Sequence, residues 1–137
     1  MATLTTNKTA STVPAKLVHA GSQSISADYS FSLSLSVGDV IQMVRVPSGA
    51  VVTDVAMTFL GTAANTVAGN VGDGDSSARY IAATSLSNQG VVRATVGIPY
   101  SYSQDDTVDL SITVATSTTL AGGVKLTVTY KVDDPLR

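Results

Sequence analysis

His19 is the only histidine in this chain of 137 residues. An imidazole metal site normally draws on several His or Cys ligands, and here there is no second His and no Cys. A Ser-His-Asp triad would have to recruit this one residue, and no G-x-S-x-G elbow presents a serine to it. A structural or surface role therefore suits His19 better than a catalytic one. The stretch Asp73-Gly74-Asp75, joined by Asp105-Asp106, offers carboxylate oxygens of the kind that hold Ca²⁺. An EF-hand loop ends on Glu, and the chain contains no Glu. Asp and Gly are also ordinary turn residues, so these positions read as turns. The Gly-rich run Gly69 to Gly74 (GNVGDG) lacks the long βαβ unit that a dinucleotide fingerprint needs. The five tyrosines have no acid or base clustered beside them in the sequence and read as packing residues. The expectation is a protein with no catalytic residue, no cofactor and no metal.

Charge narrows the partners. Lys and Arg number 8 against 10 Asp, giving a net charge of −2. The basic residues are scattered, whereas nucleic-acid binders carry a basic surplus on one face. No run approaches the ~18 apolar residues of a membrane helix. The start, Met1 to Pro14, is polar and Thr-rich with no apolar core, unlike a signal peptide. Neither nucleic acid nor membrane is expected as a partner, and synthesis in a cytoplasm is.

The elements that must carry any site are strands. Val and Thr are abundant and suit a pleated surface, while the favoured helix former Glu is absent. Ser24 to Ser36 alternates without a break: Ile25, Ala27, Tyr29, Phe31, Leu33 and Leu35 against serines and Asp28. Val40 to Val46, Val51 to Leu60, Thr66 to Val71, Val91 to Ile98, Thr107 to Ala115 and Val124 to Val132 read as further strands, and Val13 to His19 as a weak one. Pro47-Ser48-Gly49 fits a tight turn. Ser76 to Leu86 is the one stretch with helical spacing, in Ala78, Ile81, Ala82 and Leu86. About eight strands with turns every ten residues or so indicate an all-β antiparallel sandwich, best matched by a jelly roll, with at most one short helix. Residues 1–12 are expected to form a flexible or extended arm, residues 13–132 a single sandwich domain, and residues 133–137 a polar tail.

The strongest functional signal is the outward face of the long alternating strand. Ser24, Ser26, Ser30, Ser32 and Ser34 place small hydroxyls there beside one Asp. A long strand with no Lys and no Pro is a hazard if left open to water. Covering by a partner chain accounts for it, and so does covering by the chain's own second sheet or arm. The serines are candidate interface residues, and a homo-oligomer is expected, dimer first and trimer second.

The run VRVPSGAVVTDVAMTF, followed by NVGDGDSSARYIAA, resembles small tailed-phage structural proteins. The matching residues are Pro47, Gly49, Ala50, Gly72, Asp73, Arg79, Tyr80 and Ile81, within roughly Val40 to Ala83. The resemblance is to cement, or decoration, proteins of phage heads. It implies a jelly roll that binds the outer capsid surface across neighbouring major-capsid subunits and stabilises the shell against packaged DNA. Its partner would be the major capsid protein and its place the virion. A tail or fibre module with a receptor- or carbohydrate-binding role is the alternative. Sugar platforms favour exposed aromatics, and the chain has 5 Tyr, 2 Phe and no Trp.

Overall fold

Alternating apolar and polar residues pack into two facing sheets in a computed structural model of the chain. It describes residues 2–5, 22–30, 36–60, 62–63, 67–86, 90–115, 120–121 and 123–132. Twelve strands follow in order: β1 (Thr3–Thr5), β2 (Ser22–Ser30), β3 (Val40–Val46), β4 (Ala50–Phe59), β5 (Thr62–Ala63), β6 (Val67–Gly72), β7 (Ile81–Ser85), β8 (Gly90–Arg93), β9 (Tyr100–Ser101), β10 (Asp106–Ala115), β11 (Leu120–Ala121) and β12 (Gly123–Val132). One sheet has the order β1-β3-β10-β6-β7 and the other β2-β12-β4-β8, with β9 beside β4. All pairings are antiparallel except β1 with β3. The eight main strands alternate between the sheets in the manner of a jelly roll, as the turn spacing suggested.

The core is the interdigitated inner faces. Ile41, Val44 and Val46 of β3, Val108, Leu110 and Ile112 of β10, and Val67 and Val71 of β6 come from one sheet. Val52, Val55, Met57 and Phe59 of β4, and Val124, Leu126, Val128 and Tyr130 of β12, come from the other. In β10 and β12 these belong to the apolar alternation read from the sequence, while Val114, the next member in β10, is exposed beyond a register shift after Ile112. The pairing of β3 with β10 shifts at Met43: Val108 faces Val44, while Asp109 faces Gln42. The extra residue on β3 is a bulge, and it buries Met43 as well as Val44.

The helix expected over Ser76 to Leu86 does not form, and no helix occurs among the described residues. A turn runs through Ser76 to Tyr80, and β7 follows. Ile81 on β7 and Leu86 just past its end are buried as their apolar character requires. The backbone of this stretch is taken up by β6: Tyr80 N–H donates to Val71 O at 3.0 Å and Leu86 N–H to Val67 O at 2.8 Å. Sheet hydrogen bonds override a weak helical spacing. The strand expected over Val91 to Ile98 is shorter, ending at Arg93. A bend follows, in which Gly97 takes a φ of 76°. Its Cβ would collide with the Arg79 carbonyl oxygen, so only glycine fits. Within the expected N-terminal arm, Thr3–Thr5 form β1 on the edge of the first sheet. His19, the weak strand at Val13 to His19, and the far end of the long alternating strand lie outside the described residues.

Candidate functional site

Ser24, Ser26 and Ser30 stand exposed on β2, and Ala27 behind them is buried. Ser32 and Ser34 lie outside the described residues. The register of β2 with β12 places Ser24 opposite Thr129, Ser26 opposite Thr127 and Asp28 opposite Lys125. Cross-strand hydroxyl pairs result: Ser24 Oγ lies 2.8 Å from Thr129 Oγ1, and Ser26 Oγ lies 2.7 Å from Thr127 Oγ1. On the far side of β12, Thr127 faces Ala56 and Thr129 faces Asp54 of β4. Two ion pairs stand at the margins of this face. Arg93 Nη1 reaches Asp54 Oδ2 at 2.6 Å, and Lys125 Nζ stands 3.8 Å from Asp28 Oδ1. The outer face of the second sheet is thus a shallow field of small hydroxyls. A surface of this kind lets another backbone approach closely and offers both donors and acceptors. The serines were legible from the sequence. Thr127 and Thr129 were legible as outward residues, but their partnership with Ser24 and Ser26 depends on a register between strands far apart in the chain.

A second cluster joins the first turn of the Gly-Asp motif to the tyrosines. The Asp73 side chain is 1% exposed. Its Oδ1 accepts the backbone N–H groups of Asp75 at 3.1 Å and Ser76 at 2.9 Å. Arg79 donates from Nε to Oδ2 at 2.6 Å and from Nη2 to Oδ1 at 3.3 Å. Tyr102 donates its hydroxyl to Asp73 Oδ2 at 2.8 Å. That uses the only proton of Tyr102, so Tyr80, whose oxygen lies 2.7 Å away, donates to Tyr102. The Arg79 guanidinium sits 3.7 Å above the Tyr100 ring, and Tyr100 packs edge-on against Tyr102 with centroids 4.9 Å apart. The tyrosines, read from sequence as packing without acid or base partners, are here organised around a carboxylate. The signal was Tyr100 and Tyr102 two apart, but their partner lies about thirty residues upstream, beyond the reach of local spacing.

Electrostatics follow from the contacts. Burial pushes the Asp73 carboxyl up, but Arg79, Tyr102 and the Ser76 amide outweigh it and hold Asp73 below its ordinary value. Arg79 is raised, chiefly by its bond to Asp73. Burial pushes the Tyr80 hydroxyl to about 12 and raises Tyr102 further. Asp73 is fully engaged as an anchor for its turn. The turn and the loop at Asp105-Asp106 do meet, where Asp75, Asp105, Asp106 and Gln104 line an open cleft of about 470 Å³. Among the described residues, no three His, Cys, Asp or Glu converge closely enough to hold a metal ion. Asp105 instead accepts the Ser48 amide at 2.7 Å, and Asp106 that of Thr107 at 2.8 Å.

Gly72 explains why the turn closes as it does. A Cβ there would lie inside contact distance of the Ser76 carbonyl oxygen, which crosses over it. Gly72→Ala must displace that backbone, so we expect a loss of about 2 kcal/mol, seen as a lowered midpoint in thermal unfolding. A change under ~0.5 kcal/mol would show that the turn is not packed onto β6.

Comparison with protein-family models and with curated proteins finds no match. Comparison with solved structures does. A chain of the cyanophage Pam1 capsid asymmetric unit superposes with a TM-score of 0.70 at 23% identity, covering 86% of this chain and 94% of that one. A chain of the capsid of Ralstonia phage GP4 gives 0.75 at 16% identity, covering 96% and 98%. Its fold is one found in phage capsids. A chain of the acidic stable capsid structure of Helicobacter pylori bacteriophage KHP30 gives 0.64 at 20%, covering 85% and 92%. The likeness takes in both sheets of the sandwich and reaches nearly the full length of each neighbour.

Proposed function

We propose that this chain is a non-enzymatic virion structural protein. It binds the outer surface of a phage head across neighbouring major-capsid subunits as a homo-oligomer and strengthens the shell. The observation that carries the reading is the near full-length likeness to chains of three phage capsid structures. The hydroxyl face of β2 and β12 supplies the contact surface. A protein that binds the assembled shell and not its dispersed subunits stabilises the shell by mass action. Repeated symmetric contacts add by avidity, so each one need not be strong. This work asks for a stiff sandwich and a polar face, and for no catalytic group, cofactor or nucleic-acid surface.

The test is co-sedimentation of the purified protein with intact heads, using wild type and the double variant Thr127→Glu with Thr129→Glu. Both side chains are half-buried on the outer face, paired with Ser26 and Ser24 and flanked by Lys125 and Lys131, and a circular-dichroism spectrum matching wild type is the check that folding is kept. An interface that covers this face would have to strip water from two carboxylates. We expect binding to fall at least tenfold with the melting temperature nearly unchanged. Wild-type protein that stays in the supernatant refutes the shell reading; a double variant that binds as well as wild type refutes the face.

A further inference from the structure

The second sheet ends on β2, whose only strand partner among the described residues is β12. The other edge strands are short: three residues in β1, five in β7 and four in β8, against nine in β2. Every second residue of such a strand turns its N–H and C=O away from its neighbour, toward the open edge. The core-side residue Ile25 is only half-buried, although it packs against the core. An added strand would cover its open flank.

The sequence of β2 favours its own copy as that strand. A two-fold interface needs a self-complementary patch. The midpoint of β2 is Ser26. In an antiparallel pairing of two β2 strands about that residue, Ser26 meets Ser26, Ile25 meets Ala27 and Ser24 meets Asp28. Ile25 and Ala27 meet on the core side, flanked by Gln23 opposite Tyr29, and outside them polar residues stay opposite polar ones, as the pleat demands. The one charge of the strand, Asp28, avoids its own copy. It already has Lys125 on its inner neighbour, and across the new edge it meets a serine hydroxyl able to donate to it. We propose that two copies of this chain join edge to edge through β2, antiparallel about Ser26, so that the two outer hydroxyl faces become one continuous field. This deepens the oligomeric part of the proposed function, and only the use of the dimer on a shell rests on that reading.

The chain has no cysteine, so single-cysteine variants report the geometry without interference. Ser26→Cys places two thiols face to face at the two-fold axis. Ser24→Cys alone leaves them far apart, while a mixture of Ser24→Cys and Asp28→Cys proteins brings unlike thiols together. Under mild oxidation of purified protein we expect Ser26→Cys to go mostly to a disulfide dimer, Ser24→Cys to stay uncross-linked, and the mixture to yield the mixed dimer. Light scattering of wild type should give twice the 14.0 kDa chain mass. A wild-type monomer at high concentration overturns the proposal. So does cross-linking of Ser24→Cys as readily as Ser26→Cys. Should Ser26→Cys fail to fold, the mixture decides alone. Heads that bind an uncross-linkable protein would sink this inference and leave the shell reading standing. Cross-linked dimers that ignore heads would do the reverse.

Discussion

Replacing Asp73 by Ala lowers the unfolding free energy by about 3 to 5 kcal/mol, the range for breaking a buried charge pair by removing one partner. The carboxylate gathers Arg79, Tyr102 and two backbone amides around one buried acceptor. Its loss leaves a largely buried guanidinium and a buried hydroxyl without their partner, and frees the turn that crosses over Gly72. For a chain of this size the midpoint should drop by about 10 °C or more. Asp73→Asn should cost less, because an amide oxygen still accepts the Asp75 and Ser76 N–H groups. The pH dependence has a definite sign. Asp73 is held below its ordinary value, so its contribution is present above about pH 4 and is lost as pH falls through the lower folded value. Thermal melts of the three proteins at neutral and acid pH check this. An Asp73→Ala protein within 1 kcal/mol of wild type would show that Arg79 and Tyr102 find water instead.

Asp109→Asn should do the opposite and stabilise the protein. Asp109 is buried on the outer side of the first sheet, opposite Gly72 on one neighbour and Gln42 on the other. The Ser76-Ser77 backbone lies over Gly72 and so closes that side of the sheet. Its Oδ1 has no hydrogen-bond partner among the described residues, while the Thr107 hydroxyl bonds the carboxyl group. Burial, with Asp106 and Asp73 nearby, pushes the carboxyl up to about 7 from an ordinary 3.8. The folded state therefore holds this proton more tightly than the unfolded state. The contribution of Asp109 to stability is fullest below about pH 4, declines as pH rises toward 7, and levels off above it. The difference corresponds to roughly 4 kcal/mol at most. Asp109→Asn removes the cost of a buried charge. It should gain about 2 kcal/mol at pH 8, gain nothing at pH 4, and flatten the decline between them. Denaturant unfolding across that range measures all three. A variant less stable than wild type at pH 8 would mean that the carboxylate is satisfied there.

Most of the sandwich was legible because its strands obey the simplest rule, alternation by two. In β10 and β12 the alternating Val108, Leu110, Ile112, Val124, Leu126, Val128 and Tyr130 lie in the core, whereas Val114, which continues the same alternation, is exposed beyond a register shift after Ile112, and Ser24, Ser26 and Ser30 face outward as the pattern required. Local pattern failed where tertiary hydrogen bonding decided the outcome. Ile81 and Leu86 have helical spacing, yet β6 offers their backbone a ladder, and an isolated short helix has little to set against it. The bulge at Met43 left only a slip of phase in the sequence: Ile41 and Met43 alternate with Gln42, then Val44 and Val46 alternate with Arg45, and a plain strand reading passes over the step between them. The Asp73 cluster escaped notice because hydrogen-bond partners 29 residues apart leave no periodic trace.

The strand order also sets a timetable. Of the connections between the eight main strands, only the one from β6 to β7 stays within a sheet. No early stretch of the chain can close a layer by itself, and folding is slow when distant segments must meet first. The hydroxyl face is the extreme case, since Ser24 waits for Thr129, 105 residues later. While a nascent chain still lacks β12, β2 has no neighbour and the face does not exist. The outer hydroxyl face is thus a property of the finished chain alone, written into topology.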